Sequence, residues 1–321
     1  MITVFGRNYY STSPVCDYSS ESLFLDGIND AVAMNSGSHW PTINSVSGST
    51  KQHFISMWVR SGYTSVTAGL RFLMTQSSGG FGGGVTDKQF FRLAYQMTNS
   101  GGTPLNLMYV TYRDNTIGSN NNLIERIYPL HGTNNTAITG STGSNDYWLD
   151  NNTTATNGNI TTNSNDFVHL CAVVTAAPLG VPYGSAGAIE LYWNGQKLID
   201  NTAYTKSGVG TESANLIYAT VGCNIANLGS FFKGQIDELG VLQEYYTLGA
   251  FKSAYGLSSE QDVVDKLYNA GCPGDVTTHA NAVNWNYNFY RFESPNEWLS
   301  ESGGYPISPQ NGATTTTTYH A

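Results

Sequence analysis

The sequence predicts an all-β, antiparallel sandwich with long loop insertions and one short C-terminal helix. Three observations carry this. Short segments alternate apolar and polar residues with period two, or run almost continuously apolar, in the manner of half-buried and central strands. Thirty-five glycines and many Asn, Ser and Thr residues separate these segments, as expected of a fold built from many short strands and tight turns. Only one stretch has the caps and periodicity of a helix.

The segments run in order. SLFLDGINDAVAM occupies 22–34 and reads as two strand halves around a Gly-containing turn. In HFISMWVRSG at 53–62, Ile55, Met57 and Val59 share one face and Phe54, Ser56 and Trp58 the other. Both faces are largely apolar, which predicts an inner strand covered on both sides. FVHLCAVVTA at 167–176 is a nearly continuous apolar run, again a central strand. In AIELYWNGQKLI at 188–199, Ile189, Leu191 and Trp193 alternate with Glu190 and Tyr192. Asn194-Gly195 then predicts a type I′ hairpin, whose two central residues need positive φ. FFKGQIDELGVL at 231–242 is a further strand.

The predicted helix spans 258–270. Ser259 is placed to cap it, Asp262 stands at the capping-box position, and Val263, Val264, Leu267 and Tyr268 form the apolar stripe, with Gly271 as the stop. A strand-like phrase, AVNWNYNFYRFES, follows at 282–294. Residues 113–165 are rich in Asn, Thr, Ser and Gly and predict an insertion between strands, with room for short edge strands. SSGGFGGGV at 77–85 predicts a hairpin tip, since no GK[ST] follows it as a phosphate loop requires. The expected organisation is an arm at 1–21, one sandwich at 22–312 and a low-complexity tail, ATTTTTYHA, at 313–321.

Composition narrows the function. Charged residues are 12% of the chain, about half the usual share, and the net charge is −9 with only 14 Lys and Arg. No basic cluster exists to neutralise phosphates, so nucleic-acid partners are not expected. No apolar run approaches the roughly 18–20 residues that cross a bilayer, and the first residues lack the basic-then-apolar order of a signal peptide. Synthesis in the cytoplasm is expected, without membrane insertion. None of Cys16, Cys171, Cys223 and Cys272 forms a CxxC pair. Cys171 and Cys223 read as small buried hydrophobes. Cys16 and Cys272 flank the sandwich, and whether they pair is left open. The Asn-x-Thr triplets at Asn134, Asn151, Asn152 and Asn159 mark an Asn/Thr-rich loop.

Five of these phrases, in this order, resemble the laminin-G-like jelly roll of the concanavalin-A-like lectin/glucanase superfamily. DGINDAVAM is similar to its DG-x-ND strand and turn, and HFISMWV to its strand ending in tryptophan, with Trp58 at that position. FVHLCAVV resembles the strand that carries a histidine, here His169; ELYWNGQKL resembles the Y-x-NG hairpin; GQIDELGV resembles the G-x-IDE strand. KLYNAGCPGDV with NWNYNFYRFES resembles the ending of laminin-G-like structural proteins of tailed bacteriophages; in cellular relatives the strand usually comes before the helix, and here it follows it. The long 113–165 segment and Met57 before Trp58 depart from the pattern.

The resemblance implies a non-enzymatic virion structural protein on the particle surface. The place would be a capsid decoration or head fibre, or a tail-adhesion component. Its partners would be other virion proteins and host-surface glycans, with a homo-oligomer, taken as a trimer, as the assembled form. The alternatives are a carbohydrate-binding lectin module and a glycoside hydrolase.

Candidate site residues follow. Glucanases of this fold place alternating acids on one strand. The nearest sequence here, Asp237-Glu238, is adjacent and would point to opposite faces, so no catalytic residue is assigned. Asp26 and Asp30 flank a turn and could converge with Asp237 on a calcium ion; equally, short acidic side chains in such turns bond their own backbone. Tyr147 and Trp148, and secondly Trp40, are the glycan-stacking candidates, the other reading being that Trp148 anchors its loop. No HxH or HExxH spacing occurs among the six histidines, and His169 reads as a packed structural residue.

Overall fold

In a computed structural model, the described residues are 21–35, 51–63, 69–77, 89–100, 103–114, 122–129, 154–157, 160–163, 167–176, 188–198, 202–206, 218–225, 229–243, 247–273, 276, 279–285, 289–292, 307–310 and 314–317. The strands run β1 (Glu21–Asp26), β2 (Ala31–Asn35), β3 (Lys51–Ser61), β4 (Arg71–Ser77), β5 (Gln89–Ser100), β6 (Thr103–Asp114), β7 (Asn122–Pro129), β8 (Thr154–Asn157), β9 (Ile160–Asn163), β10 (Val168–Ala176), β11 (Ala188–Trp193), β12 (Gln196–Lys197), β13 (Thr202–Lys206), β14 (Tyr218–Val221) and β15 (Lys233–Gln243). Helices α1 (Gly249–Tyr255) and α2 (Glu260–Tyr268) follow, then 3₁₀ turns at Asn269–Gly271 and Ala282–Asn284. Strands β16 (Phe289–Tyr290), β17 (Ile307–Gln310) and β18 (Thr314–Thr317) complete the order.

Two eight-stranded antiparallel sheets form a sandwich of the kind a jelly roll builds. The first has the order β12-β11-β10-β3-β15-β1-β18, with β16 also paired to β15; the second has the order β13-β7-β6-β5-β4-β14-β2-β17. The main core lies between them. Ile55, Met57 and Val59 of β3 and Leu170, Ala172 and Val174 of β10 face Leu93 and Tyr95 of β5 and Val110 and Tyr112 of β6. Period-two alternation therefore holds, and it also leaves an apolar outer face on the first sheet.

That outer face carries Phe54, Cys171, Val173, Tyr192 and Leu242, and the helices cover it. Phe251 of α1, Val263, Val264 and Leu267 of α2, and Trp285 build a second core there. Both faces of β3 are thus buried, as its sequence predicts. Among the described residues there are two α-helices where one was expected. In α1, Gly249–Tyr255 follows β15 closely and closes with Gly256 in the left-handed region at φ 67°. In α2 the capping box forms as predicted: Ser259 accepts from the Asp262 N–H, and the Asp262 carboxylate accepts from the Ser259 N–H. The stop is Asn269 at φ 47°, two residues before the glycine expected to end it.

Four boundaries differ from the sequence reading. The 113–165 segment is not wholly an insertion, because β7 pairs with β6 on one side and β13 on the other. Within the remainder, β8 and β9 form a separate two-stranded hairpin. The 313–321 tail contributes β18, which extends the first sheet beside β1. Among the described residues of 282–294, Phe289–Tyr290 is strand and Ala282–Asn284 is a 3₁₀ turn, with Trp285 turned inward to the helical core.

The IDE phrase is a β-bulge. The β15–β3 register shifts between Asp237 and Gly240, with Glu238 at φ 48°. The bulge resets the alternation, so that Ile236 and Leu239 both reach the main core. Asp237 accepts from the Glu238 N–H at 2.9 Å, and Glu238 pairs with Arg291 at 3.2 Å. Gly240 is required beside it, since a Cβ there would lie 2.2 Å from the Phe289 ring. The predicted type I′ hairpin is present, with Asn194 at φ 49° and Gly195 at φ 77°. Its tip packs on α2, where a Cβ on Gly195 would lie 2.7 Å from the Tyr268 ring.

Cys171 and Cys223 are free and buried, as expected, whereas Cys272 is disulfide-bonded. Cys16 and the rest of the 1–21 arm, apart from Glu21, lie outside the described residues, as does most of the 77–85 tract. No helix among the described residues is long and apolar enough to cross a membrane.

Candidate functional site

The outer faces of the two sheets differ, and the second sheet holds the best candidate surface. Alternation on β5, β6 and β7 sends Leu93, Tyr95, Met108, Val110 and Tyr128 inward. It sends Arg92, Gln96, Tyr109, Thr111 and Glu125 outward. The register aligns Arg92 with Thr111, and Thr111 with Glu125. Cross-strand neighbours on one face of a sheet lie close enough to interact directly. Thr111 donates to Glu125 Oε2 at 3.1 Å, and Arg92 lies 3.8 Å from the same oxygen. One strand position along, Tyr109 donates to Gln96 Oε1 at 2.9 Å. Burial, and then the Glu125 charge, push the Tyr109 hydroxyl pKa above its ordinary value, so the phenol stays protonated at neutral pH. The strip therefore offers one partly buried aromatic ring with its hydroxyl, one amide and an internally paired charge, while Thr111 is itself buried. Such groups can stack on the apolar face of a sugar ring and bond its hydroxyls.

A second polar cluster sits where α2 meets the edge of the first sheet. Glu190 and Tyr192 point outward from β11, and Lys197 of β12 pairs with Glu190. Glu260 begins α2. The Tyr192 hydroxyl donates to Glu260 Oε1 at 2.5 Å and lies 3.3 Å from Glu190 Oε2. Gln52 of β3 donates its amide to Glu260 Oε2 at 3.0 Å. Both carboxyls reach the Tyr192 hydroxyl, which brings them side by side. Burial and the neighbouring Glu190 carboxyl push Glu260 up to about 7, while the neighbouring Glu260 and Lys197 hold Glu190 low against its own burial. Sequence reasoning missed this pair. Glu190 reads as an outward residue of an alternating strand, and Glu260 as an ordinary acidic residue in a helix's first turn. Only the docking of α2 on β11 brings them together.

The proposed metal ligands do not gather. Asp26 and Asp30 do meet across the β1–β2 turn, where Asp26 accepts from the Ile28 and Asn29 N–H groups at 2.7 and 3.3 Å and Asp30 accepts from the Asp26 N–H at 3.0 Å. Both carboxylates are thus committed to turn chemistry. Asp26 lies opposite Lys233 in the β1–β15 register, and Asp237 is four residues farther along β15, about 13 Å at strand rise. Among the described residues no group of three or more His, Cys, Asp or Glu is arranged to hold a metal ion. Asp237 and Glu238 do not simply point to opposite faces as expected; the bulge buries both.

His169 is packed as predicted. Its Nε2 is 2.8 Å from Ser56 Oγ, and its ring lies 5.3 Å from Trp58 and 5.8 Å from Tyr268. Burial lowers its pKa to about 3, so it is neutral. Tyr147, Trp148 and Trp40 lie outside the described residues. The connections that contain them leave opposite ends of the sandwich, because β7 ends at Pro129 near the β1–β2 turn and β2 ends at Asn35 away from it. The connections 36–50, 78–88, 115–121, 177–187 and 207–217 all leave the end opposite that turn.

No family model and no curated protein matches the sequence. Among solved structures, the chain is similar to a protein of Bacteroides ovatus ATCC 8483 proposed to bind carbohydrate, at 12% identity and a TM-score of 0.44, over 94% of this chain and 62% of that one. It is also similar to the binding domain of botulinum neurotoxin serotype D, at 9% identity and a TM-score of 0.27, over 66% of this chain and 37% of that one. The chain thus spans less than two thirds of either protein. Both TM-scores lie below 0.5, so neither likeness bears on what this chain binds.

Proposed function

We propose that the chain is a non-enzymatic display protein of a tailed-phage particle that presents its sandwich to carbohydrate on the host surface. The place on the particle is a capsid decoration, a head fibre or a tail-adhesion component. The observation that carries the reading is the polar strip Arg92–Thr111–Glu125 with Tyr109–Gln96 on the outer face of the second sheet. These side chains hold one another through cross-strand bonds on an outward face of the sheet, and this polar, aromatic arrangement is what supports recognition there. The phage setting rests on the resemblance of KLYNAGCPGDV and NWNYNFYRFES to virion proteins.

The non-enzymatic part of the reading rests on carboxylate spacing. Glycosidases hold two carboxyls about 5–5.5 Å apart or about 6.5–9.5 Å apart across the scissile bond. Glu190 and Glu260 instead both meet the Tyr192 hydroxyl, at 3.3 and 2.5 Å, where a glycosidic oxygen would have to lie. Two assays test the proposal together. The purified chain is expected to bind a subset of glycans on an array without cleaving them, and to re-bind particles that lack it. Turnover of a bound glycan, or indifference to both glycans and particles, would overturn it.

A further inference from the structure

The Glu190–Glu260 contact is not explained by recognition at the second sheet. It lies on the other side of the molecule, at the joint between α2 and the first sheet. Its geometry imposes one condition. Two carboxyls converge on the single Tyr192 hydroxyl, at 3.3 and 2.5 Å, and one hydroxyl proton cannot satisfy both. With both carboxyls ionised, two negative charges share that one donor, and a proton held by either carboxyl relieves their repulsion. When that proton leaves, two half-buried carboxylates face each other, which is unfavourable at short range.

We propose that the Glu190–Glu260 pair is a proton-operated latch that docks the N-terminal turn of α2 on the first sheet and releases it when the shared proton is lost. The groups facing Glu260 are Glu190 and Tyr192 on β11, Lys197 on β12, Gln52 on β3 and the Cys171 thiol on β10. Lys197 alone among them is cationic. It is half-exposed and already paired with Glu190, so it compensates a second negative charge only weakly. The Gln52 amide and Tyr192 hydroxyl donate to either form of Glu260.

The capping box does not titrate in the same range. Asp262, one turn along, accepts from the Ser258 and Ser259 N–H groups at 3.0 and 2.8 Å, which hold its pKa at about 2. The capping box thus stays closed while the docking contact changes. At the far end, Tyr268 stacks on Trp58 at 5.9 Å and acts as the hinge side. Released at its first turn, α2 uncovers part of the apolar patch of Phe54, Cys171, Val173 and Leu242.

The sign follows from the direction of the shift. Glu260 is raised from 4.5 to about 7, so the docked form holds a proton that the released form has lost between those values. Docking is favoured fully below about pH 4.5 and is lost as pH rises through about 7. His169 acts in the opposite sense and over a lower range, since its folded pKa is about 3 and its ordinary value 6.5. Global stability against pH would mix the two, so a local comparison is required.

The experiment is hydrogen exchange of the α2 amides against those of α1, in the full chain and in Glu260→Gln, each compared at the same pH so that intrinsic exchange chemistry cancels. A short helix freed from its sheet is marginal and loses protection. The α2 protection of the parent chain is expected to fall by about tenfold or more between about pH 5 and pH 8, one unit of unequal proton affinity being about tenfold. In Glu260→Gln, whose amide donates to Glu190 as the acid does, it is expected to stay flat. Far-UV circular dichroism at pH 5 verifies that both chains fold. Glu190→Gln, which removes the facing charge from the other side, is a second chain on which the same flat profile is expected. Equal pH dependence in parent and variants, or no change in the parent, would overturn the latch.

Discussion

On the first sheet, the outward positions read Phe54, Cys171, Val173, Tyr192 and Leu242. On the second they read Arg92, Gln96, Tyr109, Thr111 and Glu125. Both sets come from the same period-two alternation over an equally apolar inner face. The first set needs a cover, and α1, α2 and Trp285 supply it. The second set makes its own cross-strand bonds and contributes no residue to either core cluster. The difference teaches where this sandwich keeps its stability and where it has freedom to evolve contacts. Burying an aliphatic or aromatic side chain stabilises by about 1.5–3 kcal/mol, whereas an exposed ion pair contributes about 0–1 kcal/mol. Substitutions on the two faces should therefore separate cleanly into folding and recognition effects.

The largest expected effect tests the covered face. Trp285 is fully buried, donates its indole N–H to Val276 O at 2.8 Å, and contacts Phe251 edge-on at 5.3 Å. Trp285→Ala is expected to destabilise by about 3–5 kcal/mol in urea unfolding, through the cavity and the orphaned carbonyl. A loss under about 1 kcal/mol would mean that the helical layer is not a core.

Gly240→Ala comes next. The added methyl collides with Phe289, which packs in the helical core, and a cost of about 1–3 kcal/mol is expected. Wild-type stability for this variant would show that β16 is free to move away from β15. Ser259→Ala removes one bond of the capping box and should cost about 1 kcal/mol, read as a lowered urea midpoint at unchanged slope. Glu125→Gln on the second face should change stability least, by under about 1 kcal/mol, since its ion pair is long and partly solvated. A larger loss there would erase the contrast between the faces.

The sequence made the alternation legible because inward and outward positions differ in polarity, and it made the helix legible because Ser259 and Asp262 state its start. It also made Asn194-Gly195 legible as a hairpin tip. What it hid were features set by distant partners. Leu123, Ile124, Ile127 and Tyr128 stand inside an Asn/Thr-rich surround that reads as loop, yet flanking strands supply ladder bonds on both sides. The Thr-rich tail reads as low complexity, and becomes strand only because β1 offers an edge. The IDE phrase conceals its bulge, since Glu238 gives no local sign of a positive φ. The Glu190–Glu260 pair spans the separation between a strand and a helix start, so neither residue announces the other. The polar strip was equally silent: Tyr109 and Gln96 become neighbours only through the β5–β6 register.

The most direct measurement compares the intact chain with Tyr109→Ala on a glycan array, with urea unfolding run in parallel. The account predicts that the variant loses glycan binding while its stability falls by no more than about 2 kcal/mol, as for a partly buried sheet residue. A variant that binds like its parent, or a parent that binds no glycan, would contradict the assignment of recognition to the second sheet.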